Sequence, residues 1–423
     1  MKKQVYLDCA AATPVDPVVL RAMEPYFSEY FGNPSNLYAF GRMAKEALVK
    51  AVQKVASVLS CSTEECIFTG SATEADNLAI LGVARANKKS GNKIIVSNVE
   101  HKGIRGACDA LAKEGFNIVE LPVGKNGRVS SAELKKLLDD KTILASVTCA
   151  DSETGTMQPI TEISKIIKVF RKKRSRPLPY FHTDASQAAL YLDVDVAKLG
   201  VDLMTLSGHK MYGPKGVGCL YVRRGTIIEP IIFGGNQQMK LRAGTENVPG
   251  IIGFGEALFL ADKNRKTDSA HVKKLRDQLE RGIFKKIPKV VLNGNAVYRL
   301  PNFLNVSILD IEGEAMLLYL DEKGICVNTG SACNSESLEP SEVLMALGSP
   351  YEYVHGSIRF TLGKDTRAAD IAYVLRELSP IVEKLRQISP LNLALGAKKE
   401  LSQPRAFVGG RTPHFLRKKK KVK

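Results

Sequence analysis

An α/β fold built on a largely parallel sheet is the architecture that this chain predicts, and three observations predict it. Short apolar runs recur at residues 94–96, 119–121, 143–147, 180–183, 203–206 and 217–222. Turn chemistry or a stretch of helical period, such as 132–138, separates them, and strands that alternate with helices pair in parallel. The length of 423 residues and the 44% hydrophobic content are enough for one large core and a smaller second one.

Taken in order, residues 38–60 place Ala44, Ala47, Leu48, Ala51, Val52, Val55, Ala56 and Leu59 on one face at helical spacing, which predicts an amphipathic helix. The strand-like runs then follow to about residue 222. After about 264 the pattern changes to a charged helix, short strands around 302–308 and 357–362, and a closing helix near 368–388. We therefore expect a large domain over 16–263 and a smaller α+β domain made of 1–15 and 264–396. Residues 397–423 form a basic tail expected to be disordered.

Charge and composition narrow the function classes. The formal net charge is +17, but the tail holds ten Lys or Arg against one Glu400 and so carries about half of that excess. The run Arg171-Lys172-Lys173-Arg174 follows an apolar helical stretch and reads as a solvated helix C-terminus that complements the helix dipole. The eight cysteines form no Cys-x-x-Cys pair and no apolar signal segment follows the start, so a reduced, cytoplasmic protein is expected. No apolar run approaches the ~18 residues of a membrane span.

Two segments carry nucleophiles. In Ser207-Gly208-His209-Lys210-Met211-Tyr212-Gly213-Pro214 an amine stands beside hydroxyl and imidazole groups suited to an anion, a setting for a Schiff base with a carbonyl cofactor. In Gly330-Ser331-Ala332-Cys333-Asn334 a thiol stands among small residues. Thr69-Gly70-Ser71-Ala72-Thr73-Glu74 follows a strand and opens a helix, and is read either as a phosphate site or as a plain N-cap. His182-Thr183-Asp184-Ala185-Ser186-Gln187 ends another strand, where Asp184 is suited to hold a pyridinium nitrogen protonated. On the residues alone, His101 is equally a helix cap and Arg359 equally a structural ion-pair partner.

With these motifs together the chain resembles the cysteine desulfurases of the NifS/IscS type, in the subgroup with an extended catalytic-cysteine loop, from Tyr6-Leu7-Asp8 to about residue 391. Further motifs carry the resemblance: Gly32-Asn33-Pro34-Ser35, Glu100-His101-Lys102, Arg242-Ala243-Gly244-Thr245-Glu246-Asn247 and Ser357-Ile358-Arg359-Phe360. It implies the pyridoxal-phosphate aminotransferase fold type I, with the large domain binding the cofactor and the small one carrying the cysteine loop. It also implies pyridoxal 5'-phosphate as cofactor, L-cysteine as substrate and a homodimer. Lys210 is then the cofactor-bearing amine, Asp184 the partner of the ring nitrogen, His101 the residue stacked on the ring and Gln187 the donor to the phenolic oxygen. Thr73, Ser207 and His209, with Thr245 from a neighbouring subunit, are the implied phosphate ligands, and Ala72 is implied to be cofactor-binding. Arg359 and Asn33 are implied to bind the substrate carboxylate. Cys333 is implied to take the sulfur as a persulfide and pass it to an iron–sulfur scaffold or another acceptor. No resident metal is expected, with at most transient contact between Cys333 and a nascent cluster.

Departures from the family pattern are also legible. Asp151-Ser152-Glu153-Thr154-Gly155 stands where the family has Asn-Asn-Glu-x-Gly, and Asp151 is expected beside the phenolic oxygen and the substrate carboxylate, where the missing amide donor lowers activity. Asn236, Gln238 and Met239 replace a usual Gly, Glu and Arg. The tail matches nothing in the family, and an acidic or RNA-bearing sulfur acceptor is the partner its charge suggests. The alternatives are a selenocysteine lyase or another class V aminotransferase-like enzyme, and a non-catalytic scaffold or nucleic-acid-binding protein.

Overall fold

The computed structural model describes residues 3–329, 340–393 and 395. Its strands are, in chain order, β1 (Val5–Tyr6), β2 (Cys66–Thr69), β3 (Lys93–Ser97), β4 (Asn117–Leu121), β5 (Thr142–Ser146) and β6 (Tyr180–Asp184), then β7 (Leu203–Ser207), β8 (Gly218–Val222), β9 (Val290–Leu292), β10 (Phe303–Ile308), β11 (Ile325–Cys326) and β12 (Ser357–Thr361). Seven of them form one sheet in the order β2-β8-β7-β6-β5-β3-β4. The block from β7 to β4 is parallel. β8 lies antiparallel to both β7 and β2.

That topology decides where the site lies. Two antiparallel steps restore the direction, so β2 runs with β7, and the carboxyl ends of β2, β3, β4, β5, β6 and β7 share one rim. β8 runs the other way and begins there. Strands covered on both faces read as continuous apolar runs, and β5, β6 and β7 are buried along their whole length. Their carboxyl ends are where side chains and loops escape the sheet, which makes that rim the ligand side of such folds.

The predicted first amphipathic helix is Ala39–Leu59, with Ala44, Leu48, Ala51, Val55, Ala56 and Leu59 buried. It packs on the helix Val248–Lys286, closely enough that a methyl group on Gly255 would sit 2.8 Å from the Ala51 carbonyl oxygen. Asn247 caps that second helix by accepting from Gly250 N at 3.1 Å. The sequence pattern places the start of a charged helix near 264. In the structure the helix begins at Val248 and continues unbroken, so the boundary expected at 263/264 falls inside it. Its apolar first half (Ile251, Phe254, Leu258) is what hides its continuity with the charged second half.

The smaller sheet has the order β12-β10-β9, all antiparallel. The N-terminal segment belongs with it: β1 pairs in parallel with β11, and Thr361 N donates to Leu7 O at 2.8 Å. From there the chain crosses to the large sheet, where Thr13 Oγ1 donates to His209 O at 2.9 Å and accepts from Tyr212 N at 2.8 Å. The helix Ala368–Ile388 closes the fold at its expected position. No helix among the described residues is long and apolar enough to cross a membrane.

Candidate active site

Lys210 occupies a single helical turn, Gly208–Lys210, at the end of β7. Close packing forces the turn: a methyl group on Gly208 would sit 2.8 Å from Pro214 O, and Tyr212 adopts a left-handed φ of 62°. The hydrogen bonds to Thr13 then fix it from outside. Ser207 Oγ and His209 Nδ1 lie 3.2 Å apart on the same turn. Burial first, then the charges of Lys210 and Lys215, push the His209 pKa down to about 4, so its ring is neutral at neutral pH.

Three more rim segments converge on Lys210. His101 begins the helix Lys102–Lys113, and its Nδ1 accepts from Gly103 N at 3.1 Å, so the capping role is real. Burial and then the charge of Lys210 lower its pKa, while Asp184 opposes them, which places all three groups in one field. Asp184 ends β6, and its Oδ1 accepts from Ser186 N at 2.8 Å. Ala72 and Thr73 open the helix that follows Ser71, with the Thr73 methyl facing the first turn of the His101 helix across Gly103.

The other expected residues are placed less uniformly. Gln187 donates its amide to Ala10 O at 3.0 Å and so tethers the N-terminal segment. Arg359, on β12, donates to Ser152 O at 2.6 Å and to Asp8 Oδ1 at 2.7 Å, and its Nε has no partner among the described residues. Asn33 holds its own turn by accepting from Ser35 N at 3.0 Å. Thr245 is exposed on the loop before Val248. Cys333 lies outside the described residues.

The Asp151 carboxylate is buried and accepts from Glu153 N (3.0 Å), Thr154 N (2.7 Å), Thr154 Oγ1 (2.6 Å) and Thr156 N (3.0 Å). Burial raises its pKa against these four donors. Asp151 folds the loop whose Ser152 carbonyl holds Arg359.

Several residues that brace the site stand in motifs read above without a role of their own. Asp8 ends the segment where the resemblance begins, yet only the fold brings it to Arg359. Glu74 links the Gly70 amide (2.8 Å) to Arg242 Nε (2.9 Å) and so braces the turn before Ala72. Glu153 accepts from Ser341 Oγ, and burial pushes its pKa up to about 7.

The aminotransferase class-V family matches residues 5–374. The chain belongs to that family. It is 49% identical over 390 residues to the cysteine desulfurase IscS of Dictyoglomus turgidum, covering 92% of this chain and 97% of the relative. It is 48% identical over 389 residues to the cysteine desulfurase IscS of Methanosarcina thermophila, covering 92% and 94%. Among solved structures it is similar to a NifS-like protein, with a TM-score of 0.84 at 34% identity over 90% of this chain and all of that one. A NifS-like protein from Rickettsia africae gives a TM-score of 0.79 at 30% identity, with 90% and 100% covered. The class-V aminotransferase family member described here is a pyridoxal-phosphate-dependent enzyme.

The residues at the rim fit that cofactor. Lys210 offers the amine, Asp184 a carboxylate for a ring nitrogen, and Ser207 Oγ, His209 and the start of the helix at Ala72 and Thr73 a set of donors for a phosphate. Ser186 Oγ, beside Asp184, is buried without a partner among the described residues. Those residues contain no group of three or more His, Cys, Asp or Glu placed to hold a metal ion.

Proposed function

We propose that this enzyme is a cysteine desulfurase that converts L-cysteine to L-alanine and holds the sulfur as a persulfide on Cys333. The observation that supports this most is that the chain's relatives are cysteine desulfurases over nine tenths of its length, with Lys210 after β7, Asp184 at the end of β6 and His101 at the start of the helix after β3 on one rim. When bound, pyridoxal phosphate supplies an aldehyde for amines and an electron sink for charge at the substrate α-carbon. Lys210 carries the cofactor and moves the α-proton. His101, its pKa lowered by burial and by Lys210, is neutral and able to accept a proton.

Arg359 orients the substrate carboxylate, for which its unpartnered Nε and planar guanidinium are suited. The Cys333 thiolate attacks the substrate sulfur: an S–S bond forms, the C–S bond breaks, and its electron pair stays on the β-carbon, which takes up a proton as alanine leaves. The persulfide sulfur passes to an iron–sulfur scaffold or a tRNA-thiolating acceptor. In this reading the enzyme is a cytoplasmic homodimer. Exposed Thr245 reaches the neighbouring copy's phosphate site, and the exposed Phe31 and Phe40 rings, stacked at 5.3 Å, offer apolar surface for that contact.

The test is a mass spectrum of the purified enzyme after incubation with L-cysteine. One added sulfur mapped to Cys333 is expected, and a Cys333→Ser variant keeps the cofactor but gains no sulfur. Full alanine release by that variant would reassign the nucleophile.

A further inference from the structure

The proposed chemistry uses one carboxylate, Asp184, yet two more carboxyl groups are buried within its field. Asp76 is 1% exposed; the one hydroxyl that acts on it, that of Thr205, is shared with His182 Nε2 at 3.1 Å, and neither Asp76 oxygen has a well-formed hydrogen bond among the described residues. Its Oδ1 lies 3.8 Å from His182 Nε2, and a methyl group on Gly103 would sit 3.2 Å from its Oδ2. Glu100 is 3% exposed. Its Oε1 accepts from Ser97 Oγ at 2.5 Å and from Thr148 N at 2.7 Å, while its Oε2 has no partner.

Neither group has a cation to itself. His182 is fully buried, its ring nitrogens lie 2.9 Å from Ser146 Oγ and 3.1 Å from Thr205 Oγ1, and burial holds its pKa down to about 4. Arg105, whose charge acts on Glu100, is engaged by Glu342 at 3.2 Å and Glu120 at 3.7 Å. Lys210 serves the cofactor. A buried carboxylate oxygen without a donor is costly, and three like charges in one field repel, so the economical state is protonated.

We propose that Asp76 and Glu100 are positioning residues held as neutral carboxylic acids, leaving the charge of this group of three carboxyls on Asp184. Glu100 ties the end of β3 to Thr148, whose hydroxyl reaches Asp184 O at 3.3 Å, beside Cys149 N, which donates to the same oxygen at 2.8 Å. It thereby fixes the backbone of His101 relative to Asp184. Were either acid ionised, its charge would stabilise Lys210 as an ammonium, a form that cannot attack a carbonyl. The groups facing Glu100 are Asp184 from β6, Arg105 and Cys108 from the helix Lys102–Lys113, and Asp76. Burial, followed by the Asp184 charge, pushes the Glu100 pKa up to about 8 against the pull of its donors and Arg105.

This inference rests on the reading of Asp184 as the ring-nitrogen partner, but its first test needs no cofactor. Infrared difference spectra of the cofactor-free full chain at neutral pH, wild type against Asp76→Asn and Glu100→Gln, report protonated buried carboxyl groups directly. Each substitution is expected to remove one such band, and a wild type without these bands overturns the proposal. Both variants, as neutral isosteres, should bind pyridoxal phosphate within about threefold of wild type at neutral pH. A loss of tenfold or more would show that the charge is needed. Wild-type affinity should fall as pH rises through about 8 while that of Glu100→Gln does not, and an identical fall in both overturns the role of Glu100. Failure to bind the cofactor at all would sink the reading of Asp184, while the infrared bands would still decide the protonation states.

Discussion

The Asp151 carboxylate accepts four hydrogen bonds from residues 153–156, and an amide cannot reproduce them. Asp151→Asn turns an NH2 group toward two of those donors, at a cost of about 1–3 kcal/mol for buried groups left unmatched. The variant should therefore unfold at lower urea concentration, and its kcat/KM for cysteine should fall as Ser152 loosens its hold on Arg359. A rise in kcat/KM would bear out the expectation from sequence that an amide belongs there. At this scale the sequence is legible where chemistry fixes the residue type and opaque where the partner is distant. Lys210 and Asp184 stand out because few other side chains do their work at a strand end. That Asp8 would engage Arg359, or that Gln187 would reach Ala10, depends on chain crossings between two sheets that no local pattern records.

At the level of elements, the cofactor rim exists because β8 runs against its neighbours and starts where β2 ends. Gly218, the first residue of β8, has the Ser71–Ala72 backbone against it: a methyl group there would sit 2.5 Å from Ser71 C and 2.7 Å from Ala72 N. Backbone cannot yield as a flexible side chain does, so overpacking at this point displaces the turn itself. Gly218→Ala should raise the dissociation constant for pyridoxal phosphate by about tenfold, equivalent to about 1.4 kcal/mol, as read by cofactor titration of the cofactor-free protein. Unchanged affinity would mean that this turn does not hold the phosphate. Every apolar run marked in the sequence became a strand, because short β-branched runs between turns have few other options. The pattern signals a charged helix only after about 264, whereas the helix begins at Val248, because its first half is apolar and looks like buried core rather than the front of a charged helix.

For the whole molecule, buried titratable groups of both signs shape stability against pH. Glu100 and Glu153 keep their protons in the folded chain up to about 8 and about 7, against an ordinary 4.5. Their contribution is fully present below the unfolded pKa and is lost as pH rises through those folded values. His182 is the reverse: held down to about 4 from 6.5, it contributes above its unfolded pKa and is lost as pH falls through about 4. Each proton that differs between the folded and unfolded chain changes stability by about 1.4 kcal/mol per pH unit. Urea unfolding across the neutral range should show a decline toward alkaline pH that is shallower in a Glu100→Gln, Glu153→Gln double variant, and equal slopes would show that those acids are not protonated when folded. The fold as a whole has one central consequence, that six strand ends and the start of a seventh strand share the rim on which Lys210 stands. The most direct measurement of it is borohydride reduction of the holoenzyme followed by peptide mapping. The reduced cofactor should be found on Lys210 and be absent from a Lys210→Ala variant; recovery on any other lysine would contradict the site.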